Sequence, residues 1–138
     1  MNFIQDNQSF STTGVLRGLH LQKAPYAQGK LVRVIKGKCI DVVVDIRKDS
    51  KTFGEVATFI LDAERQNMVY VPEGFAHGFA TFEDTIFYYK CTNVYHKASE
   101  GGILWNDPKL NINWQVKDPI VSDKDQILPT FEDFTKSL

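Results

Sequence analysis

The sequence predicts an all-β protein, a sandwich or a barrel, folded as a single domain over residues 1–138. Three observations support this prediction. Most of the chain consists of short runs in which apolar and polar residues alternate with period two. Breaks rich in Asp, Gly and Pro separate these runs, and helical periodicity is weak before the C-terminus. The 138 residues contain no repeat of fixed period and match the size of one domain.

About seven strands are predicted in the order of the chain. Residues 39–46 give the clearest pattern, because Ile40 and Val44 fall on one face of a strand while Asp41 and Asp45 fall on the other. The preceding β-branched run and this strand are separated by a Lys-Gly pair, so the two are predicted to form a hairpin. The other strands are predicted at residues 14–21, 31–35, 56–61, 68–71, 77–82 and 85–92.

Helical character is confined to the C-terminal segment. Ser122 is placed to cap a short helix, and Asp125 follows three residues later, in the position usually taken by Glu or Gln. Phe131, Phe134 and Leu138 then follow with roughly helical spacing. We therefore predict a short helical segment after the strands.

Composition and sequence patterns exclude some classes of partner and indicate the cellular compartment. Sixteen basic and seventeen acidic residues give a net charge of −1, which argues against nucleic acid as the main partner. No apolar run approaches the ~20 residues of a membrane-spanning helix, and the first residues do not resemble a signal peptide. Cys39 and Cys91 lie in apolar runs, which is typical of reduced, buried thiols. We expect a cytoplasmic protein without a membrane partner.

Two of the three histidines are candidates for chemistry. His20 and His77 each lie in a predicted strand close to glycine, where a ligand or another backbone segment can approach closely. If both strands turn these faces into a barrel, the two histidines line one cavity. His96 lies in a polar segment and is interpreted as a hydrogen-bonded structural residue.

A metal site is not favoured by the residues around these histidines. A catalytic zinc or iron site needs about three protein ligands, usually His with a carboxylate. Gln22 follows His20 on the same predicted face and is a poor ligand for such metals. Neither His-x-His nor His-x-x-Glu occurs in the chain, so we expect a metal-free site.

Two cations and several tyrosines lie near the candidate histidines. Arg17 and Lys30 are either solvated surface residues or the positive side of an anion site. In a flat strand Arg17 and His20 point to opposite faces, so both reach one site only if Gly18 is part of a bulge or bend. The phenols of Tyr88, Tyr89 and Tyr95 either pack at a barrel rim or, inside a cavity, serve as acids.

Seven stretches form one series along the chain: QDN (5–7), GVLRGLHLQ (14–22), QGKLVRVIKG (28–37), DVVVDIRKDSKTFGE (41–55), VPEGFAHGFA (71–80), YYKCTNVY (88–95) and EGGILWNDP (100–108). Together they resemble the dTDP-4-dehydrorhamnose 3,5-epimerases and related nucleotide-sugar epimerases of the cupin superfamily. The resemblance runs from about residue 5 to about residue 125. It is specific, because several long motifs occur in the same order and spacing.

The resemblance implies a cupin-type jelly-roll β-barrel, a homodimer, and catalysis without a metal or cofactor. It implies that His20 is the general base and that Asp125 is the carboxylate that orients it, with Asp123 as the alternative. It also implies that Lys30 is the cation beside the sugar O4 and that Tyr89 is the acid on the opposite face of the ring. Substrate contacts are expected from Gln5, Asn7, Arg17, Gln22, His77 and Tyr95.

These residue types suit proton transfer next to a ketone. A C4 ketone acidifies the hydrogens on C3 and C5, a base removes one of them, and inversion requires a proton from the other face. A carboxylate bound to Nδ1–H of the base would fix its tautomer. The resemblance therefore implies epimerisation of a dTDP-linked 4-keto-6-deoxy sugar in the synthesis of bacterial surface polysaccharides of the O-antigen or rhamnose type.

Two other functions remain open at this point. Family members usually have a few dozen residues before the Gln-Asp-Asn stretch, including an Arg- and Phe-containing segment that reaches the partner subunit's nucleotide site, whereas this sequence begins almost at Gln5. That difference motivates a non-catalytic sugar-nucleotide binder or an accessory subunit. A sugar ketoisomerase of the same superfamily is the other possibility.

Overall fold

Ten β-strands and three short helical segments make up the fold in the computed structural model, which describes residues 1–138. The strands are β1 (Gln5–Ser11), β2 (Val15–Gln22), β3 (Lys30–Lys36), β4 (Lys38–Asp45), β5 (Val56–Asp62), β6 (Met68–Val71), β7 (Phe75–Thr81), β8 (Thr85–Cys91), β9 (Glu100–Gly102) and β10 (Ile120–Val121). A 3₁₀ turn spans Lys97–Ser99, and the helices are α1 (Asp123–Gln126) and α2 (Phe131–Thr135). The predicted all-β class is confirmed.

The strands form two sheets that face each other. The four-stranded sheet has the order β1-β8-β3-β6, and the larger sheet has the order β10-β2-β7-β4-β5 with β9 paired to β2. Every strand pair is antiparallel except that of β10 with β2. Neighbours in the sheets are distant in sequence, so side chains from widely separated motifs meet between the sheets.

Strand β4 is buried on both faces. Its alternate residues Ile40, Val42 and Val44 pack under the C-terminal segment, against Trp114 and Phe134 among others. The opposite face turns toward the four-stranded sheet and contributes to a second apolar cluster between the sheets. The predicted alternation is therefore present, but Asp41 and Asp45 on this second face are 0% and 2% exposed rather than solvated.

The hairpin predicted around Gly37 is wrong. Strand β3 pairs with β8 and β6, whereas β4 pairs with β5 and β7, so the Lys-Gly corner takes the chain from one sheet to the other. Gly37 has φ +93°, and a Cβ there would collide with the main chain of Thr85 at 2.9 Å. The residue type predicted a turn correctly, but both edges of β3 are occupied by strands that come later in the chain.

Strand β1 was not predicted, because its sequence is polar. Its alternate side chains face the space between the sheets, where Asn7 and Ser9 line a cavity instead of an apolar core. Polar residues on the inner face remove the hydrophobic alternation on which strand prediction depends.

The first of the two C-terminal helices begins where the sequence indicates. The hydroxyl of Ser122 accepts a hydrogen bond from the main-chain N–H of Asp125 at 3.2 Å and so caps α1. Thr130 caps α2 in the same way, and Phe134 of α2 is buried. Neither helix has the length and apolar character needed to cross a membrane.

Candidate active site

A cavity lies between the two sheets and is open at one side. Two cations and no carboxylate are among its lining residues, which favours ligands with negative charge. The six-stranded sheet contributes one wall and β1, β3 and β8 contribute the other. The lining residues are Asn7, Ser9, Arg17, His20, Lys30, His77, Gly78, Phe79, Phe87 and Tyr89.

An irregularity in β2 brings Arg17 and His20 to the same cavity. Arg17 pairs with Phe79 and His20 pairs with His77, so β2 has one residue more than β7 between the two pairs. Gly18 at this point has φ +139°, and a Cβ there would lie 2.7 Å from the Cα of Gly78. Glycine is therefore required here by both conformation and space. The sequence predicts that Arg17 and His20 can share a site only if β2 has a bulge or bend at Gly18. This irregularity is such a bulge.

His20 is bound to a buried carboxylate behind the cavity wall. Its Nε2 lies 2.7 Å from Oδ1 of Asp125, and the main-chain N–H of Gly18 donates to Oδ2 of the same carboxylate at 3.1 Å. Asp125 is 4% exposed, while Asp123 is exposed to solvent. The contact uses Nε2, so the expectation that the carboxylate binds Nδ1 is wrong.

Opposing effects set the pKa of Asp125. Burial acts to raise it, but the hydrogen bond and charge of His20 and the N–H of Gly18 together hold the pKa below its usual value. Asp125 is therefore ionised at neutral pH and accepts the proton of Nε2–H. Nδ1 of His20 then keeps its lone pair and makes no hydrogen bond within the protein.

Lys30 and Tyr89 lie on the wall opposite His20. The Nζ of Lys30 is 5.6 Å from the centre of the Tyr89 ring. Burial lowers the pKa of Lys30, while the negative charges of Asp41 and Glu100, and that of Cys91 when it is ionised, act to raise it. Burial also raises the pKa of Tyr89, so this phenol is protonated at neutral pH. The cavity thus has a lone pair on one wall and a proton donor and a cation on the other.

Three residues expected to contact substrate lie outside the cavity. The amide of Gln22 is fully engaged with the main chain, since it donates to the carbonyls of Tyr26 and Val94 and accepts from the N–H of His96. The side chain of Gln5 accepts from the main-chain N–H of Tyr95 at 2.9 Å. The structure therefore gives Gln22 a role in holding loops together.

Tyr95, the third of these residues, lies on the surface and is 55% exposed. Its hydroxyl donates to the carboxylate of Glu100 at 3.0 Å, and this hydrogen bond raises the pKa of Tyr95. The Nζ of Lys124 lies 3.4 Å from the same carboxylate. Tyr95 and Lys124 therefore flank Glu100 beside β2 and α1, on the outside of the cavity.

His77 faces the cavity beside His20 and has a carboxylate of its own. Its Nε2 lies 2.7 Å from Oδ1 of Asp41, which is fully buried. The sequence did not identify Asp41 as part of the site. The available signal was an acidic residue in a strand that is otherwise strongly apolar, since burial of a carboxylate requires a partner.

His96, the third histidine, lies outside the cavity. The ring of His96 stacks on Tyr26 with 3.7 Å between ring centres, and its Nδ1 lies 2.8 Å from the hydroxyl of Ser99. These contacts agree with a structural residue. No group of three or more His, Cys, Asp or Glu side chains is arranged to hold a metal ion.

Comparisons with known proteins converge on one family. The family model described as dTDP-4-dehydrorhamnose 3,5-epimerase matches residues 1–133. A relative of that name from Shigella flexneri is 55% identical over 126 residues, which cover 91% of this chain and 70% of the relative.

Solved structures give the same result. A dTDP-4-dehydrorhamnose 3,5-epimerase from Elizabethkingia anophelis NUHP1 superposes with a TM-score of 0.94 at 50% identity, over 96% of this chain and 74% of that one. A dTDP-6-deoxy-D-glucose-3,5-epimerase from Legionella pneumophila Philadelphia 1, in complex with dTDP-4-keto-L-rhamnose, superposes with a TM-score of 0.91 at 44% identity. That match covers 95% of this chain and 70% of the Legionella chain.

Asp125→Asn is expected to lower the free energy of unfolding at pH 7 by about 1.5–3 kcal/mol, because hydrogen bonds to a charged acceptor are weakened. The folded-state pKa of Asp125 lies below its usual value of 3.8. The contribution of ionised Asp125 to the stability of the folded protein is therefore complete above that value, and it is lost as the pH falls through the folded-state pKa. Urea unfolding between pH 7 and pH 3 should show the difference between wild type and variant shrinking below about pH 4.

The control for this measurement is Asp123→Asn, two residues away on the exposed side of α1. We expect this substitution to change stability by less than about 0.5 kcal/mol at any pH. Equal losses in the two variants, or a loss in Asp125→Asn that does not depend on pH, would contradict an ionised Asp125 that accepts the hydrogen bond of His20.

Proposed function

The chain belongs to the dTDP-4-dehydrorhamnose 3,5-epimerase family, and from that premise we propose that it inverts C3, C5 or both of a nucleotide-linked 4-keto-6-deoxy sugar. One observation supports this more than any other. The carboxylate-bound His20 lies on one wall of the cavity, and Tyr89 and Lys30 lie on the other. An epimerase needs a base and an acid on opposite faces of its substrate, with a positive charge at the oxygen between them.

The base in this proposal is Nδ1 of His20. Asp125 accepts the proton on Nε2, so the lone pair of Nδ1 is free to remove the hydrogen on a carbon next to the C4 ketone. The imidazolium that forms is stabilised by the same carboxylate. General-base participation of this kind is typically worth ~10²–10⁴-fold in rate.

The electrons left by that proton move to O4, which becomes an enolate oxygen. Lys30 is the cation on the facing wall and stabilises this negative charge. Tyr89 then donates its phenolic proton to the carbon from the face opposite His20, and the configuration is inverted. Burial keeps the Tyr89 proton in place until the enolate forms.

The nucleotide is proposed to bind along a groove next to the cavity. This groove runs beside β2, β10 and α1 and shares Arg17 and His20 with the cavity. Arg17 and Lys124 supply two positive charges, which suit a diphosphate. The exposed ring of Tyr95, linked to Lys124 through Glu100, offers a surface for a base. We propose a dTDP-linked sugar, because the Legionella relative is described in complex with one.

The reaction is proposed to serve dTDP-rhamnose synthesis for surface polysaccharides, in the cytoplasm. The relatives are named for the dTDP-rhamnose precursor on which they act. Both cysteines are buried free thiols, and the absence of a disulfide agrees with a reducing compartment.

A homodimer is proposed through the outer face of the four-stranded sheet. Along β3, Val32 and Val34 point into the protein, whereas Ile35 points outward and is 43% exposed. Large apolar side chains on neighbouring strands share this outer face, and an apolar face of this kind favours association of two copies by a twofold axis. They are Phe10, Met68 and Tyr70.

Sedimentation equilibrium tests the dimer directly. We expect twice the chain mass of 15.7 kDa for the wild type. Ile35→Glu should shift the protein to a monomer, because it places a charge in the apolar contact. Phe59→Glu is the matched control, since Phe59 is 40% exposed on β5 of the other sheet. A monomeric wild type, or an Ile35→Glu variant that remains dimeric, would contradict this interface.

The catalytic proposal is tested by hydrogen exchange in the sugar. The purified chain is incubated with a dTDP-4-keto-6-deoxyhexose in deuterated water, and the C3 and C5 protons are followed by NMR. We expect loss of one or both signals, and the signal that is lost identifies the carbon that reacts. His20→Ala should reduce this exchange by ~10²–10⁴-fold.

His96→Ala is the control, because His96 stacks on Tyr26 outside the cavity and is not part of the proposed chemistry. It should exchange at close to the wild-type rate. Full exchange in His20→Ala would remove His20 from the role of base. Binding of the nucleotide sugar by the wild type without any exchange would instead favour a non-catalytic binder or an accessory subunit.

A further inference from the structure

Asp41 is a buried carboxylate that the proposed mechanism does not use. It lies at the centre of β4 and is 0% exposed. Its Oδ1 contacts Nε2 of His77 at 2.7 Å, and the two side chains are 0% and 8% exposed. Its Oδ2 is also buried and has no hydrogen-bond partner. A buried carboxylate oxygen without a partner loses its hydration and normally has a compensating interaction nearby.

Lys30 is the cation that can compensate. Lys30 lines the same cavity as His77, the hydrogen-bond partner of Asp41, and the negative charge of Asp41 acts to raise the pKa of Lys30. Lys30 is itself half-buried and makes no salt bridge with any carboxylate within 4.0 Å. Each of the two groups is therefore an ionisable group that is shielded from water, Asp41 fully and Lys30 in part, without a paired ion.

Other groups that face Lys30 are less suited to this role. Cys91 on β8 is kept as a neutral thiol, because burial raises its pKa. Glu100 on β9 already contacts Lys124 and the hydroxyl of Tyr95. The remaining titratable groups around the cavity are neutral or positively charged, and they are Tyr89 on β8, Arg17 and His20 on β2, and His77 on β7. Asp41 is the one buried carboxylate with an oxygen to spare.

We propose that Asp41 is a positioning residue of this site. One of its carboxylate oxygens orients the ring of His77, and the other stabilises the positive charge of Lys30. Its acceptor oxygen places the His77 proton on Nε2 and leaves Nδ1 unprotonated, on a wall where His77 is the register partner of His20. The role of the Lys30 charge at O4 rests on the proposed epimerisation. The two effects on the protein itself do not.

Asp41→Asn tests the proposal, because the amide preserves the shape of the side chain and removes the charge. Long-range ¹H–¹⁵N spectra identify which nitrogen of each of the three histidines is protonated. Titration of the Lys30 side chain is followed through its Cε and Nζ signals, which are assigned with Lys30→Arg. In the wild type we expect His77 in the Nε2–H form. In Asp41→Asn, whose amide oxygen can still accept Nε2–H, we expect a fall of the Lys30 titration by about one pH unit or more.

Cys39→Ala is the matched control, because Cys39 lies two residues away on the same buried face of β4 and has no charge at neutral pH. Its packing defect should leave both signals at their wild-type positions. The alkaline limb of the exchange rate should move to lower pH in Asp41→Asn and stay in place in Cys39→Ala.

Two results would overturn the proposal. One is an unchanged Lys30 titration in Asp41→Asn. The other is a wild-type protein in which His77 has its proton on Nδ1, and this result needs no variant to fold. Both spectroscopic measurements use the unliganded protein, so they are independent of turnover. Absence of exchange in the wild type would therefore refute the epimerase proposal alone, while unchanged spectra would refute the role of Asp41 alone.

Discussion

The site depends on the two hydrogen bonds that the carboxylate of Asp125 accepts. One oxygen accepts the ring proton of His20, and the other accepts the main-chain N–H of Gly18. Gly18 is the point at which β2 departs from regular pairing, and that departure turns Arg17 and His20 to the same side. A single buried group therefore fixes both the backbone that presents the base and the tautomer that makes it basic. Ser122, as the cap of α1, accepts a hydrogen bond from the main-chain N–H of Asp125 and so fixes the backbone that carries this carboxylate.

The two sheets supply complementary halves of the chemistry. The six-stranded sheet provides the histidines, each backed by its own aspartate, and the four-stranded sheet provides Lys30 and Tyr89. The aspartates lie behind the histidines and do not line the cavity. The surface of the cavity is therefore positive, while the negative charges needed to balance it remain buried in the wall. This arrangement suits a substrate that becomes an anion during the reaction.

The sequence was sufficient where local pattern decides structure. Alternation in residues 39–46 predicted β4 correctly, and Ser122 marked the start of α1. Long-range arrangement could not be obtained this way. Strand β1 has no hydrophobic alternation, because its inner face lines a cavity, so the sequence does not predict it. The turn at Gly37 connects two sheets, whereas the sequence predicts a hairpin there. Spacing placed Gln22 on the face of His20, but its amide is used by neighbouring main chain.

The proposed mechanism requires a base and an acid on opposite sides of the cavity, and the variant Tyr89→Phe removes the acid alone. His20 is partly exposed, with 36% of its side chain accessible, so its proton can exchange with solvent. We expect Tyr89→Phe to take up deuterium with retention, while inversion falls by ~10²–10⁴-fold. Tyr88→Phe is the control, because Tyr88 contacts Asp6 on the outer face of the sheet. Inversion by Tyr89→Phe at the wild-type rate would show that Tyr89 is not the acid.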